Sequence, residues 1–255
     1  MLKSRLIPCL LIHEKGLVKT KNFKHPHYIG DPINTIKIFN EKNVDELFIA
    51  DIDASVKKYE PDYKLISKIA FECRMPLCYA GGIKEINQAI KIIELGVEKV
   101  ALSSAAIENP IIISNLSETI GSQSVVVALD VKMSKFKKRY EIFTHNGKKA
   151  TGLSLTNFIK RMENSGAGEI IINSIDKDGT LEGYDLDLID EVYRNLKIPL
   201  TFIGGASSHK DFEKVVKKYH PCGIGASSIF IFKGKHKAVL IQYPNVEEKY
   251  KILNL

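Results

Sequence analysis

The sequence predicts an α/β protein, a single (β/α)8 TIM barrel built from two duplicated half-barrels, and three observations support this prediction. The chain has 255 residues, which is the usual size of one such barrel. Short runs rich in Val, Ile and Leu alternate with longer amphipathic stretches, as expected for parallel strands covered by helices. The third observation is an internal repeat, in which one unit of the chain occurs twice at a fixed spacing.

The repeat relates residues 45–106 to residues 168–228. A shift by 123 positions superimposes three pairs of motifs without a gap: Ile52-Asp53 on Ile175-Asp176, Gly81-Gly82 on Gly204-Gly205, and Ser104 on Ser227. Each copy has the order strand, acidic loop, helix, strand, Gly-Gly, helix, strand, which is that of a half-barrel. We therefore expect one domain over residues 1–255, with half-barrels at about 1–122 and 123–255.

Eight nearly continuous apolar runs are the predicted barrel strands: Arg5–Ile12, Glu46–Asp51, Leu77–Ala80, Lys99–Leu102, Val125–Asp130, Glu169–Asn173, Leu200–Ile203 and Gly223–Ala226. The helices predicted between them are Pro32–Lys42, Asp62–Glu72, Ile86–Leu95, Pro110–Ile120, Leu155–Asn164, Leu186–Leu196 and Ser208–Tyr219. Pro32 and Pro110 suit the first turn of a helix, and Gly96 suits a helix stop.

Three segments depart from the alternation of strands and helices. Tyr140–Lys149 contains Asn146-Gly147 between alternating residues, which predicts a β-hairpin inserted after the fifth strand. Gly16–Gly30 is predicted to be a long loop after the first strand, and both insertions should lie on the rim at the carboxyl ends of the strands. Because Pro244 should stop a helix, we expect a short eighth helix followed by an irregular tail.

The composition argues against several classes of function. The lysines give a net charge of +7 but are scattered, which favours a solvated surface, with attraction of anionic substrates as the alternative. Nucleic-acid binding is not expected, because no basic run is interleaved with aromatic residues. No stretch is apolar enough for a membrane span or a signal peptide, which predicts a soluble cytoplasmic protein.

Neither a metal nor a cofactor is expected, and four cysteines without metal-ligand spacing are predicted to be reduced core residues: Cys9, Cys73, Cys78 and Cys222.

Small residues follow strands at matching places in the two halves. Gly81-Gly82-Ile83 and Gly204-Gly205-Ala206 come after the third and seventh strands, and Leu102-Ser103-Ser104 and Gly225-Ala226-Ser227 end the fourth and eighth. Glycine lets backbone N–H groups approach an anion closely, and the loops after strands 7 and 8 often bind phosphate in barrels. Two phosphate sites on opposite sides of the rim are therefore predicted, the alternative being that these glycines only permit tight turns.

Aspartates at the ends of strands would point into the barrel mouth, where proton transfer could occur. Asp51 closes the second strand and Asp130 the fifth, while Asp176 and Asp178 follow the sixth. Asp130 has no turn to cap, which favours a functional role. For Asp178 and Asp53, capping of a turn is the simpler interpretation.

The two halves disagree at one position. When the first strands of the halves are aligned, Leu11 stands opposite Asp130. An acid/base pair built by the duplication needs a titratable side chain at both positions, and leucine cannot transfer a proton. His13 and Glu14 are close in sequence, and whether either takes over this role stays open at the level of the sequence.

A set of motifs extends over nearly the whole chain: Pro8-Cys9-Leu10, Gly30-Asp31-Pro32, Asp51-Ile52-Asp53-Ala54-Ser55, Gly81-Gly82-Ile83, Val125 to Asp130, Gly166-Ala167-Gly168-Glu169, Ser174 to Thr180 and Gly183-Tyr184-Asp185. From Arg5 to about Phe232 the chain resembles the cyclase subunit of imidazole glycerol phosphate synthase, the HisF family. The resemblance implies a partner, a HisH-type glutaminase whose ammonia passes through the barrel. It also implies a phosphate-bearing small-molecule substrate of the ribulosyl bisphosphate type (PRFAR), with imidazole glycerol phosphate and AICAR as products.

The resemblance also implies roles for individual residues. One phosphate site would comprise Gly82, Ser103 and Ser104. The other would comprise Gly179, Gly205, Ala226 and Ser227. Lys19 and Asp51 match rim residues of the catalytic site, and Asp130 matches one of two catalytic aspartates. A ring of charges that gates ammonia entry at the barrel bottom would comprise Arg5, Glu46, Lys99 and Glu169, for which a structural salt-bridge cluster is an equal alternative.

Leu11 is the main departure from the family, because the second catalytic aspartate should stand there. Losing one partner of an acid/base pair typically lowers a rate by ~10²–10⁴. We therefore favour a divergent subunit that keeps the glutaminase and the ammonia path but serves another acceptor, as in surface-polysaccharide clusters where a further amidotransferase amidinates a sugar nucleotide. The alternatives are an authentic cyclase of histidine biosynthesis and a non-catalytic scaffold subunit.

Overall fold

A computed structural model describes residues 3–134, 137–234 and 236–253. The strands are β1 (Arg5–His13), β2 (Gly16–Lys21), β3 (Lys24–Gly30), β4 (Leu47–Asp51), β5 (Leu77–Ala80), β6 (Lys99–Leu102), β7 (Val125–Ser134), β8 (Arg139–Thr144), β9 (Lys149–Ser154), β10 (Glu169–Ser174), β11 (Leu200–Ile203), β12 (Gly223–Ala226), β13 (Phe232–Lys233) and β14 (Ala238–Val239). The helices are α1 (Pro32–Asn40), α2 (Ala54–Lys57), α3 (Tyr63–Glu72), α4 (Ile86–Glu94), α5 (Ser104–Glu108), α6 (Ile111–Ile120), α7 (Leu155–Asn164), α8 (Leu186–Tyr193), α9 (His209–Tyr219), α10 (Ser228–Ile231) and α11 (Val246–Leu253).

Eight of the strands close into a parallel barrel, which confirms the predicted fold class. Their order around the barrel is β1, β4, β5, β6, β7, β10, β11 and β12, and β12 pairs with β1 to complete the circle. Residues 1–122 contribute four of these strands and residues 123–255 the other four. The strand bounds predicted from the apolar runs agree with the observed bounds to within a few residues.

The packing forms two apolar layers, as expected for a barrel whose strands are covered on the outside and filled on the inside. The larger layer lies between the barrel and its helices, and Leu6, Leu10 and Phe39 are among its fully buried members. The smaller layer fills the barrel interior, where the buried side chains are Ile7, Cys9, Phe48, Cys78, Ala101, Val126 and Ile171. All four cysteines are free, but Cys73 is only half-buried because it lies just past the end of α3, so its predicted place in the core is wrong.

Both predicted insertions lie on the rim, and one of them differs from its prediction. The segment after β7 is the expected hairpin, with Asn146-Gly147 at its turn. The segment predicted as a long loop, Gly16–Gly30, is a second hairpin formed by β2 and β3. Its turn residues Asn22 and Phe23 both have positive φ, at 49° and 60°. Sequence patterns do not favour a left-handed phenylalanine, so they gave no sign of this turn.

The end of the chain also differs from its prediction. After the short helix α10, β13 and β14 form a small hairpin, and α11 then packs on the barrel with Ile252 and Leu253 buried. The expected irregular tail is therefore wrong. Asn245 and Glu248 explain the helix, because each side chain accepts a hydrogen bond from the other residue's backbone N–H at 2.9 Å. Such a reciprocal cap starts a helix directly after Pro244.

Candidate functional site

A cavity of about 170 Å³ lies at the carboxyl ends of the barrel strands. Its floor is the apolar barrel interior, and small side chains such as Cys9, Ala101 and Ala128 line it from below. Hydroxyl, amide and charged side chains from the ends of several strands and from the rim hairpins stand around the sides. They include Lys19, Asp51, Ser103, Ser104, Asp130, Asn173, Asp178 and Ser227. This placement at the end of the barrel where loops converge makes the cavity the candidate site.

The two rim hairpins meet above this cavity. The β8–β9 hairpin reaches across the mouth, where the Asn146 side-chain amide donates a hydrogen bond to the backbone carbonyl of Ile52 at 2.9 Å. At the turn, Gly147 (φ +72°) fits closely against Ile175 and Phe23, since an added Cβ would lie 3.2 and 3.3 Å from their side chains. The two hairpins therefore cover part of the cavity mouth.

Asp130 is half-buried at the side of the cavity. Its carboxylate accepts a hydrogen bond from the Asn173 side-chain amide at 3.1 Å, and the two residues are partners in the β7–β10 ladder. Burial raises the pKa of Asp130 from 3.8 to about 7, although the bond from Asn173 opposes this shift. A carboxyl group with such a pKa can both donate and accept a proton near neutral pH.

Leu11 lines the same cavity, at the place that the internal repeat matches to Asp130. Neither His13 nor Glu14 takes over this position, because both lie outside the cavity lining. The His13 ring bonds through Nδ1 to the Asp53 carboxylate at 2.7 Å, and the Glu14 backbone N–H donates to the same carboxylate at 3.0 Å. Asp53 thus joins the β1 and β4 loops instead of capping its own loop, and its predicted role as a turn cap is wrong.

Asp51 lies in the cavity but is already engaged with its own loop. Its Oδ1 accepts from the backbone N–H groups of Asp53 and Ala54 at 2.9 and 3.1 Å, and from the Tyr59 hydroxyl at 3.3 Å. Burial raises the pKa of Asp51, and these hydrogen bonds counteract the rise. The carboxylate therefore holds the loop after β4 as well as facing the cavity.

Lys19 and Asp178 form a buried ion pair inside the cavity. The Lys19 ammonium donates to Asp178 at 2.6 Å, and the same carboxylate accepts from the Thr20 hydroxyl at 2.8 Å and the Phe23 backbone N–H at 3.2 Å. Asp178 therefore fastens the β2–β3 hairpin to the loop after β10, and its predicted role as a cap of its own turn is wrong. Asp176 does not line the cavity, since its carboxylate accepts from the Met133 backbone N–H at 2.9 Å.

The residues predicted to bind phosphate do not all lie in the same cavity. Gly82, Ser103 and Ser104 line the cavity together, as does Ser227, whose buried hydroxyl has no protein hydrogen-bond partner. Gly179 lines a neighbouring cavity instead. Gly205 and Ala226 line neither cavity, and their place in a phosphate site stays a prediction. Gly205 packs against the backbone of Gly183, whose N–H donates to the Gly205 carbonyl at 2.9 Å.

Among the cavity residues that were not predicted as site residues are Asn173 and His145. Asn173 carries a buried side-chain oxygen without a protein partner, facing a cavity that could supply a donor from a ligand. His145 enters the cavity at the turn of the β8–β9 hairpin, with Nδ1 bonded to the Thr144 hydroxyl at 3.0 Å. Asn173 was identifiable from the sequence, because it ends a strand that neighbours the strand of Asp130. His145 was not, since its position depends on how the hairpin folds over the mouth.

The charged residues predicted at the barrel bottom form a closed ring at the other end of the barrel. Arg5 bonds to Glu46 and, at 2.8 Å, to Glu169, while Lys99 bonds to the same two carboxylates at 2.9 Å. Both glutamates are only 4% exposed, and a fifth residue missed by the sequence, Thr201, donates its hydroxyl to Glu169. Burial disfavours the charged form of Glu169, but Arg5 and Lys99 lower its pKa overall.

Replacing Asp130 by asparagine should change how stability depends on pH. Between about pH 4 and pH 7 the folded chain holds a proton on Asp130 that the unfolded chain has lost, so the free energy of unfolding falls as pH rises through this window. Asp130→Asn has no carboxyl group, so its free energy of unfolding should not fall for this reason. The full pKa shift would correspond to ~4 kcal/mol of unfolding free energy, and we expect about 2 kcal/mol because the carboxyl group is partly open to the cavity.

Urea unfolding from pH 4.5 to pH 8 measures this difference, with Asp187→Asn on the exposed face of α8 as the matched control. The Asp130→Asn curve should rise relative to that of the unmodified chain as pH increases. Parallel curves would show that the carboxyl is not held in its neutral form.

In the described part of the chain, no helix is both long and apolar enough to cross a membrane. Residues 3–134, 137–234 and 236–253 contain no group of three or more His, Cys, Asp or Glu side chains placed to hold a metal ion.

A family profile and the similar proteins all indicate the same family. The sequence profile described as "Histidine biosynthesis protein" matches residues 5–237. A Vibrio vulnificus protein named "Putative imidazole glycerol phosphate synthase subunit hisF3" is 54% identical over 255 residues, covering 100% of this chain and 98% of the relative. A Pseudomonas aeruginosa protein with the same printed description and the suffix hisF2 is 45% identical, covering 97% and 98%. The "Imidazole glycerol phosphate synthase subunit HisF" of Natranaerobius thermophilus is 37% identical, covering 91% and 92%.

Proposed function

The chain belongs to the histidine biosynthesis protein family, among the HisF-type cyclase subunits of imidazole glycerol phosphate synthase, and we propose that it serves an acceptor other than PRFAR. In this proposal a HisH-type glutaminase releases ammonia at the charged ring, and the ammonia passes through the barrel to the rim cavity. The acceptor is a sugar nucleotide of surface-polysaccharide biosynthesis, which is amidinated with the help of a further amidotransferase. That enzyme uses ATP to activate a carbonyl oxygen of the sugar; ammonia then forms the new C–N bond, and the oxygen leaves with a phosphate group of ATP.

One observation carries the choice of acceptor: Leu11 lines the cavity where a second carboxyl group should face Asp130. Ring closure of PRFAR requires proton transfers at more than one atom, and a single half-buried Asp130 supplies one site of transfer. The structure offers no substitute from the neighbouring loop, because His13 is bonded to Asp53 outside the cavity. Delivery of ammonia makes no such demand on position 11.

The path proposed for ammonia is supported by what lies between the two ends of the barrel. The four-residue ring occupies the amino ends of the strands. Above it the interior contains the small side chains Cys9, Cys78 and Ala101 among the larger Ile7, Phe48, Val126 and Ile171. A small neutral molecule meets no charged group in this interior. The ring itself is closed, so passage requires one of its ion pairs to open when the glutaminase docks.

Transfer of labelled nitrogen tests this function. The chain, its glutaminase and the further amidotransferase are incubated with ATP, [amide-15N]glutamine and the sugar nucleotide, and the nucleotide is analysed by mass spectrometry. We expect 15N in the sugar nucleotide only when this chain is present. Equal incorporation in its absence, at the same concentration of glutamine, contradicts the proposal.

Authentic cyclase activity is the second candidate, and one observation favours it. His145 lines the cavity with Nδ1 engaged by Thr144, which leaves Nε2 free for proton transfer. In that case His145 would replace the carboxyl group missing at position 11. The non-catalytic scaffold accounts for neither His145 nor Asp130 in the same cavity.

His145→Gln separates these two candidates. If His145 supplies the second acid/base group, the variant should form imidazole glycerol phosphate ~10²-fold more slowly than the unmodified complex. Under the function proposed above, neither protein forms it at a measurable rate. His13→Gln is the matched control, since glutamine can still donate to Asp53 and the residue lies outside the cavity. A loss in His13→Gln as large as in His145→Gln would remove the assignment of His145.

A further inference from the structure

A second cavity, of about 650 Å³, lies beside the first on the rim. The β2–β3 hairpin forms one wall and the segment from α10 to β14 forms the other. Lys19 and Thr20 line both cavities, so the two spaces adjoin at these residues. The roles implied for Gly82, Ser103 and Ser104 concern the first cavity. In the second cavity only Gly179 has an implied role, as part of the other phosphate site, and the lysines and apolar residues around it have none.

The second cavity is strongly basic. Lys21, Lys233 and Lys237 line it with exposed side chains, and none of these three forms a salt bridge with a carboxylate in the described part of the chain. His25 and His27 add two further nitrogen-bearing rings, and the described lining includes no Asp or Glu. Uncompensated cations around a concave surface attract an anion with more than one charge.

Acidic groups nearby are already engaged. The Lys19 ammonium is neutralised by Asp178 at 2.6 Å, on the boundary with the first cavity. Asp211 lies behind the lining residue Ser207 and accepts from its hydroxyl at 2.6 Å and its backbone N–H at 2.9 Å. The net charge that a ligand meets is therefore that of the unpaired lysines.

One side of the second cavity is apolar. Leu181 is 37% exposed there, and Ile229 and Phe232 are partly exposed beside it. The Gln242 side-chain amide fixes this wall, since it donates to the backbone carbonyls of Ile229 and Phe232 at 2.8 and 3.1 Å. A ligand that fills this cavity would bury an apolar part against these residues as well as an anionic part against the lysines.

Size decides between a bare phosphate and a larger ligand. The second cavity, at about 650 Å³, lies within the roughly 300–1,000 Å³ of sites for cofactor-sized molecules. Inorganic phosphate would leave most of the second cavity, including its apolar wall, unoccupied.

We propose that the second cavity binds a nucleoside diphosphate group, with the diphosphate against Lys21, Lys233 and Lys237 and the base against Leu181, Ile229 and Phe232. The sugar attached to the diphosphate then extends past Lys19 and Thr20 into the first cavity, where ammonia arrives. This inference rests on the proposed function, which it deepens by assigning the site that recognises the sugar nucleotide.

Calorimetric titration with UDP and with inorganic pyrophosphate tests the site directly and needs no enzymatic assay. We expect UDP to bind the complex of this chain with its glutaminase at least 10-fold more tightly than pyrophosphate. The double variant Lys21→Ala/Lys237→Ala should weaken both probes at least 10-fold, and Phe232→Ala should weaken UDP several-fold while sparing pyrophosphate. Lys160→Ala, on the exposed face of α7, is the control and should change neither affinity.

The outcomes separate the site from the function. UDP binding no tighter than pyrophosphate binding, or equal binding by the double variant and the control, overturns the site even if 15N reaches the sugar nucleotide. UDP binding that depends on Lys21, Lys237 and Phe232 supports the site even if no 15N is transferred, and in that case the proposed function alone fails.

Discussion

Leu11→Asp is expected to raise the rate of imidazole glycerol phosphate formation by the complex at least ~10²-fold, from a rate close to background. The new carboxyl group would enter the cavity that already contains Asp130, whose pKa of about 7 suits proton transfer near neutral pH. Leu11 is partly exposed to this cavity, so the carboxylate of an aspartate at this position would stay partly solvated and its burial would cost little. The measurement is product formation from PRFAR with glutamine as the nitrogen source.

Leu11→Asn is the matched control for this gain. Asparagine has the size and polarity of aspartate but cannot transfer a proton at neutral pH, so it should leave the rate near that of the unmodified complex. Equal gains in the two variants would attribute the effect to space or hydration in the cavity. No gain in either would show that the acid/base pair is not what limits cyclisation.

Lys99→Met is expected to have the second large effect, because Lys99 contacts both buried glutamates of the ring. Without its ammonium, Glu46 and Glu169 share only the positive charge of Arg5. Removing one partner from a buried ion-pair network typically costs about 3–5 kcal/mol of folding stability. The variant should therefore unfold at a lower urea concentration. Its loss should be greatest at neutral pH, because Arg5 and Lys99 lower the pKa of Glu169 and the stability that comes from its charged form disappears as pH falls.

The same substitution tests the ammonia path. With the ring broken, we expect the amount of 15N that reaches the acceptor per glutamate formed to fall several-fold, and free ammonium to rise. Lys160→Met, on the exposed face of α7, is the control for both measurements. A stable Lys99→Met complex with unchanged nitrogen transfer would indicate a purely structural role for the ring.

The barrel was predictable because its signals are local and repeated. Apolar runs such as Leu77–Ala80 and Leu200–Ile203 have the same bounds in the sequence and in the structure, since parallel strands buried on both faces tolerate few polar residues. The two hairpin turns show the limit of this approach. The Asn146-Gly147 dipeptide is typical of a hairpin turn and therefore predicts one. Asn22 and Phe23 adopt left-handed backbone conformations although their residue types do not predict a turn.

The candidate site was predictable only in part, because strand position indicates which residues reach the mouth but not what they bond to. Asp130 lies in the cavity as its position implied. Asp178 also follows a strand, yet its carboxylate is engaged by Lys19 and Thr20 of a hairpin more than 150 positions away in the chain. His145 depends in the same way on tertiary structure, since Asn146 must anchor the hairpin to Ile52 before the ring enters the cavity.

The most direct test of the proposed change of acceptor is the rate at which the unmodified complex converts PRFAR. It is measured twice, with glutamine and with ammonium salt as the nitrogen source, beside an authentic cyclase complex under the same conditions. We predict that imidazole glycerol phosphate forms at least ~10²-fold more slowly than in the authentic complex with either nitrogen source. Formation at a comparable rate from glutamine would contradict the proposal that loss of the carboxyl group at Leu11 redirected this subunit to another acceptor.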